Sequence, residues 1–216
     1  MTKVTTEWVT DIGLTPIAEQ MTKIALFGTS ADPPTAAHKA ILRWLSDCYD
    51  WVAVWASDNP FKSHQTPLEH RTKMLRVLIS EIETSRYNIG LHEELSSSRS
   101  LETVEKARKI WGERVELILV IGSDLVAQMP SWYQVEKLLS QVQLLVVVRP
   151  GYEINDAGLQ ALRKLGARVA IADFNTPAVS STAYREYGDT NALTPPVEDY
   201  IHQEQLYACQ NVAPSR

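Results

Sequence analysis

Several kinds of residue and pattern are scarce in this chain, and each scarcity removes a class of function. Two cysteines, Cys48 and Cys209, are too few for a disulfide framework or a thiolate metal cluster. No His, Asp or Glu set has metal-ligand spacing, so no structural zinc is expected. No apolar run approaches the roughly 20 residues of a membrane span. Positive charge is in deficit: 21 Lys and Arg stand against 26 Asp and Glu, a formal net charge of −5. That balance provides no overall basic field for a nucleic acid polymer or an anionic lipid surface, and leaves any phosphate binding to local groups. Repeats, low-complexity segments and domain-dividing linkers are absent. The amino-terminal residues carry no secretory pattern, so the cytoplasm is the expected compartment.

What is present reads as one α/β core, for which 216 residues are ample. Met1-Thr2-Lys3 recurs as Met21-Thr22-Lys23, and residues 1–20 have little apolar periodicity. They read as an extension outside the fold, or as a short docking helix, with a single domain over 21–210. Ile24 to Phe27, Trp51 to Trp55, Tyr87 to Leu91, Val115 to Ile121, Gln143 to Val148 and Arg168 to Ala172 read as strands. Helical spacing lies between them: Ala37, Ile41, Leu45 and Cys48; then Met74, Leu75, Leu78, Ile79 and Ile82; then Leu101, Val104, Arg108 and Trp111. Further helices are expected from Trp132 to Leu139, from Ala157 to Leu165 with Gly166 as C-cap, and from about Ser181 and Pro195. Thr66-Pro67-Leu68-Glu69 reads as a capping box with Pro at the first helical position. Cys48 fits the apolar face of its helix and is expected in the core. Apolar strands alternating with helices predict a doubly wound, Rossmann-like parallel sheet with helices on both faces. Such sheets bind ligands beyond the carboxyl ends of their strands, where strand order reverses.

Candidate chemistry collects at those ends. The turn from Gly28 to His38 joins the first strand to a helix whose first turn carries Thr35 and His38 on one face. A hydroxyl and an imidazole at a helix start suit a phosphate; a capped helix with a surface histidine is the plainer reading. Lys62, on the loop Asn59-Pro60-Phe61-Lys62, is placed for a phosphate or for solvent, and His64 and His70 read as surface residues. The run Glu94 to Val104 offers backbone and hydroxyl donors for a carboxylate or amide, or its Ser and Thr simply cap a helix. Gly122 lets a ligand approach the backbone; Asp124 can cap a helix or bind a ribose hydroxyl; Trp132 can stack on a flat ring or fill the core. Ser180-Ser181-Thr182, with Arg185 one turn on, form a polyphosphate cradle or a capped helix with a surface Arg.

The first of these turns resembles the nucleotidyltransferase signature G-G-T-F-D-P-x-[HT]-x-G-H at Gly28, Asp32, Pro33, Thr35 and His38. It departs at Thr29, Ser30, Ala31 and Ala37; Thr29 stands at the second Gly. In order along the chain, further motifs resemble those of the bacterial nicotinate mononucleotide adenylyltransferases. Lys62 answers to the Lys of P-P-H-K, Arg71 to the Arg of E-x-R-x-x-M-L, and Ser98 to Val104 to S-Y-T-x-D-T-L, with Arg99 for Tyr and Glu102 for Asp. Gly122-Ser123-Asp124 with Trp132, Arg149-Pro150-Gly151, Ser180 to Arg185 and the tail from Val197 to Tyr207 complete the likeness.

The resemblance implies adenylyl transfer from ATP to nicotinate mononucleotide, giving deamido-NAD and pyrophosphate. It implies catalytic roles for His38, Thr35 and Arg185. ATP binding would fall to Gly28, Thr29, Ser30, His38, Gly122, Asp124, Ser180, Ser181, Thr182 and Arg185. Mononucleotide binding would fall to Lys62, Ser98, Arg99, Ser100, Thr103, Trp132 and Arg149. Mg²⁺ would enter on ATP, with no dedicated protein site. The partners are then ATP and a pyridine mononucleotide; a homo-oligomer is left open. Two alternatives stand beside this: an adenylyltransferase for another phosphorylated acceptor, such as nicotinamide mononucleotide or phosphopantetheine, or a non-catalytic nucleotide sensor that the altered first motif permits.

Overall fold

A computed structural model of the protein describes residues 21–58 and 65–207. The extension expected over 1–20, Lys62 and its loop, His64 and Cys209 lie outside the described residues. The described residues form one sheet of six strands: β1 (Lys23–Thr29), β2 (Trp51–Ala56), β3 (Ile89–Leu91), β4 (Glu116–Gly122), β5 (Gln143–Val147) and β6 (Arg168–Ile171). Their spatial order is β3-β2-β1-β4-β5-β6, and every pairing is parallel. The expected doubly wound α/β architecture is therefore what forms.

Among the described residues seven α-helices accompany the sheet: α1 (Ala36–Cys48), α2 (Leu68–Ser80), α3 (Ser100–Trp111), α4 (Val135–Gln141), α5 (Asp156–Lys164), α6 (Ser181–Tyr187) and α7 (Pro195–Gln203). Successive strand residues face opposite sides, so the sheet has two cores. Ile24, Leu26, Leu117, Leu119 and Leu144 pack with Val104 of α3, Leu138 of α4 and Leu159 of α5. Ala25, Phe27, Ile118, Val120 and Leu145 pack with Leu42 of α1, Leu75 of α2 and Val197 of α7. A fully buried Leu in such a face contributes roughly 1.5–3 kcal/mol, which explains why continuous apolar strands carry the central sheet.

Three local expectations are corrected. Cys48 is exposed. The buried face of α1 runs through Leu42, Leu45 and the polar Ser46, whose hydroxyl donates to Asn88 Oδ1 at 2.5 Å, leaving Cys48 at its margin in the last turn. The helix expected from Trp132 begins only at Val135, because Gln134 adopts a left-handed conformation (φ 47°). The capping box at Thr66 does not form. Pro67 is the cap residue of α2, with no side-chain cap hydrogen bond, and Thr66 serves instead through its carbonyl.

Strand order reverses beside β1. The chain leaves β1 for β2 on one side and returns through α3 to β4 on the other. The turns after β1 and β4 flank the crevice that this reversal opens.

Candidate functional site

The β1–α1 turn is built around one histidine. Thr35 caps α1 in an extended conformation, and its backbone N–H donates to His38 Nδ1 at 3.0 Å. This is the reciprocal half of a capping box, with an imidazole where Glu or Gln usually stands. The Thr35 hydroxyl also meets Nδ1, at 2.8 Å, and Thr35 is fully buried. Nε2 lies 2.9 Å from the Thr29 hydroxyl. The hydroxyl–imidazole pair expected to face a ligand side by side is thus arranged in series: Thr35 behind, His38 in the middle, Thr29 in front. Burial, with the Arg149 guanidinium nearby, lowers the imidazole from 6.5 to about 4, so it is neutral at physiological pH.

Gly28 and Gly122 mark the two sides of the crevice. A Cβ on Gly28 would come within 2.5 Å of the Trp55 indole, and one on Gly122 would collide with Asp124 and Arg149. Glycine is required at both by close approach. Asp124 Oδ2 accepts from Arg149 Nη1 at 2.9 Å, while Oδ1 is buried with no partner among the described residues. An unsatisfied carboxylate oxygen at a strand end is complementary to a ligand hydroxyl or amine.

The Ser180–Arg185 segment is docked onto the β1–α1 turn. Ser180 caps α6, its hydroxyl accepting from the Ala183 N–H at 3.0 Å. Ser181 donates to the Pro33 carbonyl at 2.7 Å, and Arg185 donates to the Asp32 carbonyl. Arg185 Nη2 lies 3.5 Å from the Thr182 hydroxyl, on the exposed side. The structure thus brings Ser181 and Arg185 against the turn that carries His38.

The expected mononucleotide residues divide. Arg99 lies half-exposed over the Tyr133 ring at 4.2 Å and 3.6 Å from Glu102, and Trp132 packs partly on the core. Ser98 is exposed and Ser100 half-buried at the start of α3. Thr103 is buried, with its hydroxyl donating to the Leu95 carbonyl at 2.9 Å. It braces this turn from within and presents no free group. Ser30 is half-buried at the crevice.

Two residues outside the expected set hold the site together. Arg71, 2% exposed, donates from Nε to the Thr66 carbonyl at 2.8 Å and from Nη1 to the carbonyls of Ser30 (2.9 Å) and Ser57 (2.8 Å). It joins the β1–α1 turn to the end of β2 and the start of α2. Tyr207 donates to Asp32 Oδ1 at 2.7 Å, and burial pushes its phenol well above the usual range. The signal for Arg71 was in the sequence. It continues the stripe of Met74, Leu75 and Leu78 one turn toward the amino end, where an arginine must be buried and paired.

Among the described residues, no three His, Cys, Asp or Glu side chains gather as a metal site, and no helix is long and apolar enough to cross a membrane.

Comparison with known proteins bears on this geometry. A family model described as cytidylyltransferase-like matches residues 26–187. A Synechocystis sp. protein named "probable nicotinate-nucleotide adenylyltransferase" is 44% identical over 197 residues, covering 86% of this chain and 98% of its own length. The Bacillus subtilis protein named nicotinate-nucleotide adenylyltransferase is 26% identical, covering 87% and 99%. Among solved structures, the Plasmodium falciparum nicotinic acid mononucleotide adenylyltransferase complexed with NaAD superposes with a TM-score of 0.74 at 20% identity, covering 87% of this chain and 98% of that one. At that identity the likeness speaks for the fold.

Proposed function

The chain belongs to the cytidylyltransferase-like family and, within it, to the nicotinate-nucleotide adenylyltransferases, and from that membership we propose how its crevice works. The reaction is adenylyl transfer from ATP to nicotinate mononucleotide. A phosphate oxygen of the mononucleotide attacks the α-phosphorus of ATP in line. The bond from that phosphorus to the bridging oxygen breaks, and deamido-NAD and pyrophosphate leave.

No covalent nucleophile is needed, so the work is positioning and charge stabilisation. The observation that carries the reading is His38. It is neutral, fixed by Thr35 so that its proton lies on Nε2, and set at the carboxyl end of β1 where strand order reverses. A neutral N–H donor in this place fixes the hydrogen bonds offered to the transferring phosphoryl group without itself titrating. Arg185 and the Ser180-Ser181-Thr182 turn, docked on the same loop, face the β- and γ-phosphates. Asp124 Oδ1 takes a ribose hydroxyl. Mg²⁺ would enter with ATP and would offset charge on its phosphate oxygens, with no dedicated protein site.

The mononucleotide lies toward Trp132, Arg99 and Ser98, with Arg149 toward its phosphate, the group that the resemblance also assigns to Lys62. The purified protein is expected to release pyrophosphate from ATP with nicotinate mononucleotide and Mg²⁺. Binding of ATP without turnover of any pyridine mononucleotide would refute this and favour a sensor. Turnover confined to phosphopantetheine would move the chain to another acceptor.

Arg99 gives a second expectation here. Nicotinate carries a carboxylate where nicotinamide carries a neutral amide, and a guanidinium pairs with the former. Glu102, 3.6 Å away, competes for the same charge. Arg99→Ala is expected to lower the nicotinate-to-nicotinamide ratio of kcat/KM by about tenfold, in line with a hydrogen bond to a charged group. A ratio that stays within twofold rules out Arg99 as the discriminator.

A further inference from the structure

The geometry points to Thr29 as a catalytic residue of this chain: its hydroxyl carries the hydrogen bond to the transferring phosphoryl group, and His38 stands behind it as the group that positions it. The inference rests on ATP being the ligand of this crevice.

Proton accounting leads there. The Thr35 backbone N–H can only donate, so His38 Nδ1 accepts. A neutral imidazole bears its single proton on the other nitrogen, so the 2.9 Å contact to Thr29 is Nε2–H donating to Oγ1. The Ala31 N–H donates to the same oxygen at 3.3 Å. Two donors occupy the two lone pairs of the hydroxyl. Its own proton must then go to a third atom, and no described residue receives it. A phosphate, rich in acceptors, is the complementary group. The two incoming donors polarise the O–H and strengthen the bond it gives. No covalent bond is made or broken at Thr29.

The hydroxyl is also held in place. Thr29 is the last residue of β1, paired in register with Ala56, and its carbonyl accepts from the Ser57 N–H at 2.7 Å. A donor on a strand end is fixed better than one on a loop. Thr29 stands where the signature it resembles has glycine. With glycine there, Nε2–H would reach the crevice directly; here the hydroxyl is interposed.

Thr29→Val, Thr29→Ser and Thr29→Gly in the full chain test this. Two readouts are taken: kcat with nicotinate mononucleotide, and the calorimetric Kd for α,β-methylene-ATP. In Thr29→Val, kcat is expected to fall about 10²-fold, as on losing one preorganised donor, and analogue affinity about fivefold. Thr29→Ser should stay within threefold of the parent in both. Thr29→Gly should turn over faster than Thr29→Val, because it lets His38 donate directly. A Val variant within twofold of the parent in both readouts overturns the proposal. So does a Ser variant as impaired as Val, which would assign the effect to the lost methyl. A Gly variant at or below Val overturns the series arrangement. If the parent turns over no pyridine mononucleotide, the acceptor assignment fails, while the analogue affinities of Val and Ser still decide the role of Thr29.

Discussion

His38→Ala is expected to lower turnover by about 10²–10³-fold with little change in fold, the range for removing one preorganised donor from a charged transition state. The Nε2–H of the ring holds the Thr29 hydroxyl, so its loss unfixes that donor. Parental turnover in the Ala variant would end the phosphate role of this histidine. A pH signature accompanies the rate. With the folded-state value near 4, the kcat/KM profile should show no limb from this residue around 6.5. Stability carries the complementary signature. The folded-state value lies below the unfolded one, so the unfolded chain binds the extra proton between them, and stability rises with pH there. The contribution is fully present above about pH 6.5 and is lost as pH falls toward 4. At about 1.4 kcal/mol per unit its upper limit is about 3 kcal/mol. Urea midpoints measured from pH 4 to 7 should therefore be flatter for His38→Ala than for the parent.

The other large effect is expected at Arg71. Arg71→Met removes a buried guanidinium from three carbonyls, those of Ser30, Ser57 and Thr66. Burial lowers the pKa of the guanidinium, and the negative charge of Asp32 and Asp58 pulls it back up. The two carboxylates thus offset only part of the cost of burying this cation. Breaking such an arrangement from one side leaves its partners unpaired, and about 3–5 kcal/mol of stability should be lost. The urea midpoint should fall with m unchanged. Arg71→Lys should recover only part, since an ammonium lacks the planar fork that reaches three acceptors. A loss under about 1 kcal/mol would mean that water satisfies the carbonyls and that Arg71 is not a clamp.

The sheet was legible because β1, β2, β4 and β5 are continuous apolar runs, and burial on both faces demands that pattern. The start of α4 was not legible. A left-handed residue at Gln134 ends the preceding turn, and no glycine or asparagine announces it. Cys48 was misplaced because a hydrogen-bonded serine, Ser46, occupies part of the buried face, which apolar spacing alone does not see.

At the site, the motifs named His38, Thr35 and Arg185, and the structure sets Arg185 and Thr35 around the turn that holds His38. What the motifs could not give is order in depth. Thr35 and Thr103 are hydroxyls at helix starts, like Ser180, yet both are buried and bonded inward. Side-chain direction depends on tertiary packing, which residue type does not encode. The link from Tyr207 to Asp32 spans 175 residues and has no local signature.

That link has a consequence for how the protein is made. The β1–α1 turn lies early in the sequence, but its fixings arrive late. Arg71 comes 41 residues after Ser30, Ser181 148 after Pro33, Arg185 153 after Asp32, and Tyr207 175 after Asp32. A ribosome that has produced the whole first half of the sheet has therefore not yet produced a site of the right shape. Nascent chains that stop before Tyr207 should fold much of the sheet and still fail to grip ATP. Nucleotide binding thereby becomes a property of chains that extend through Tyr207.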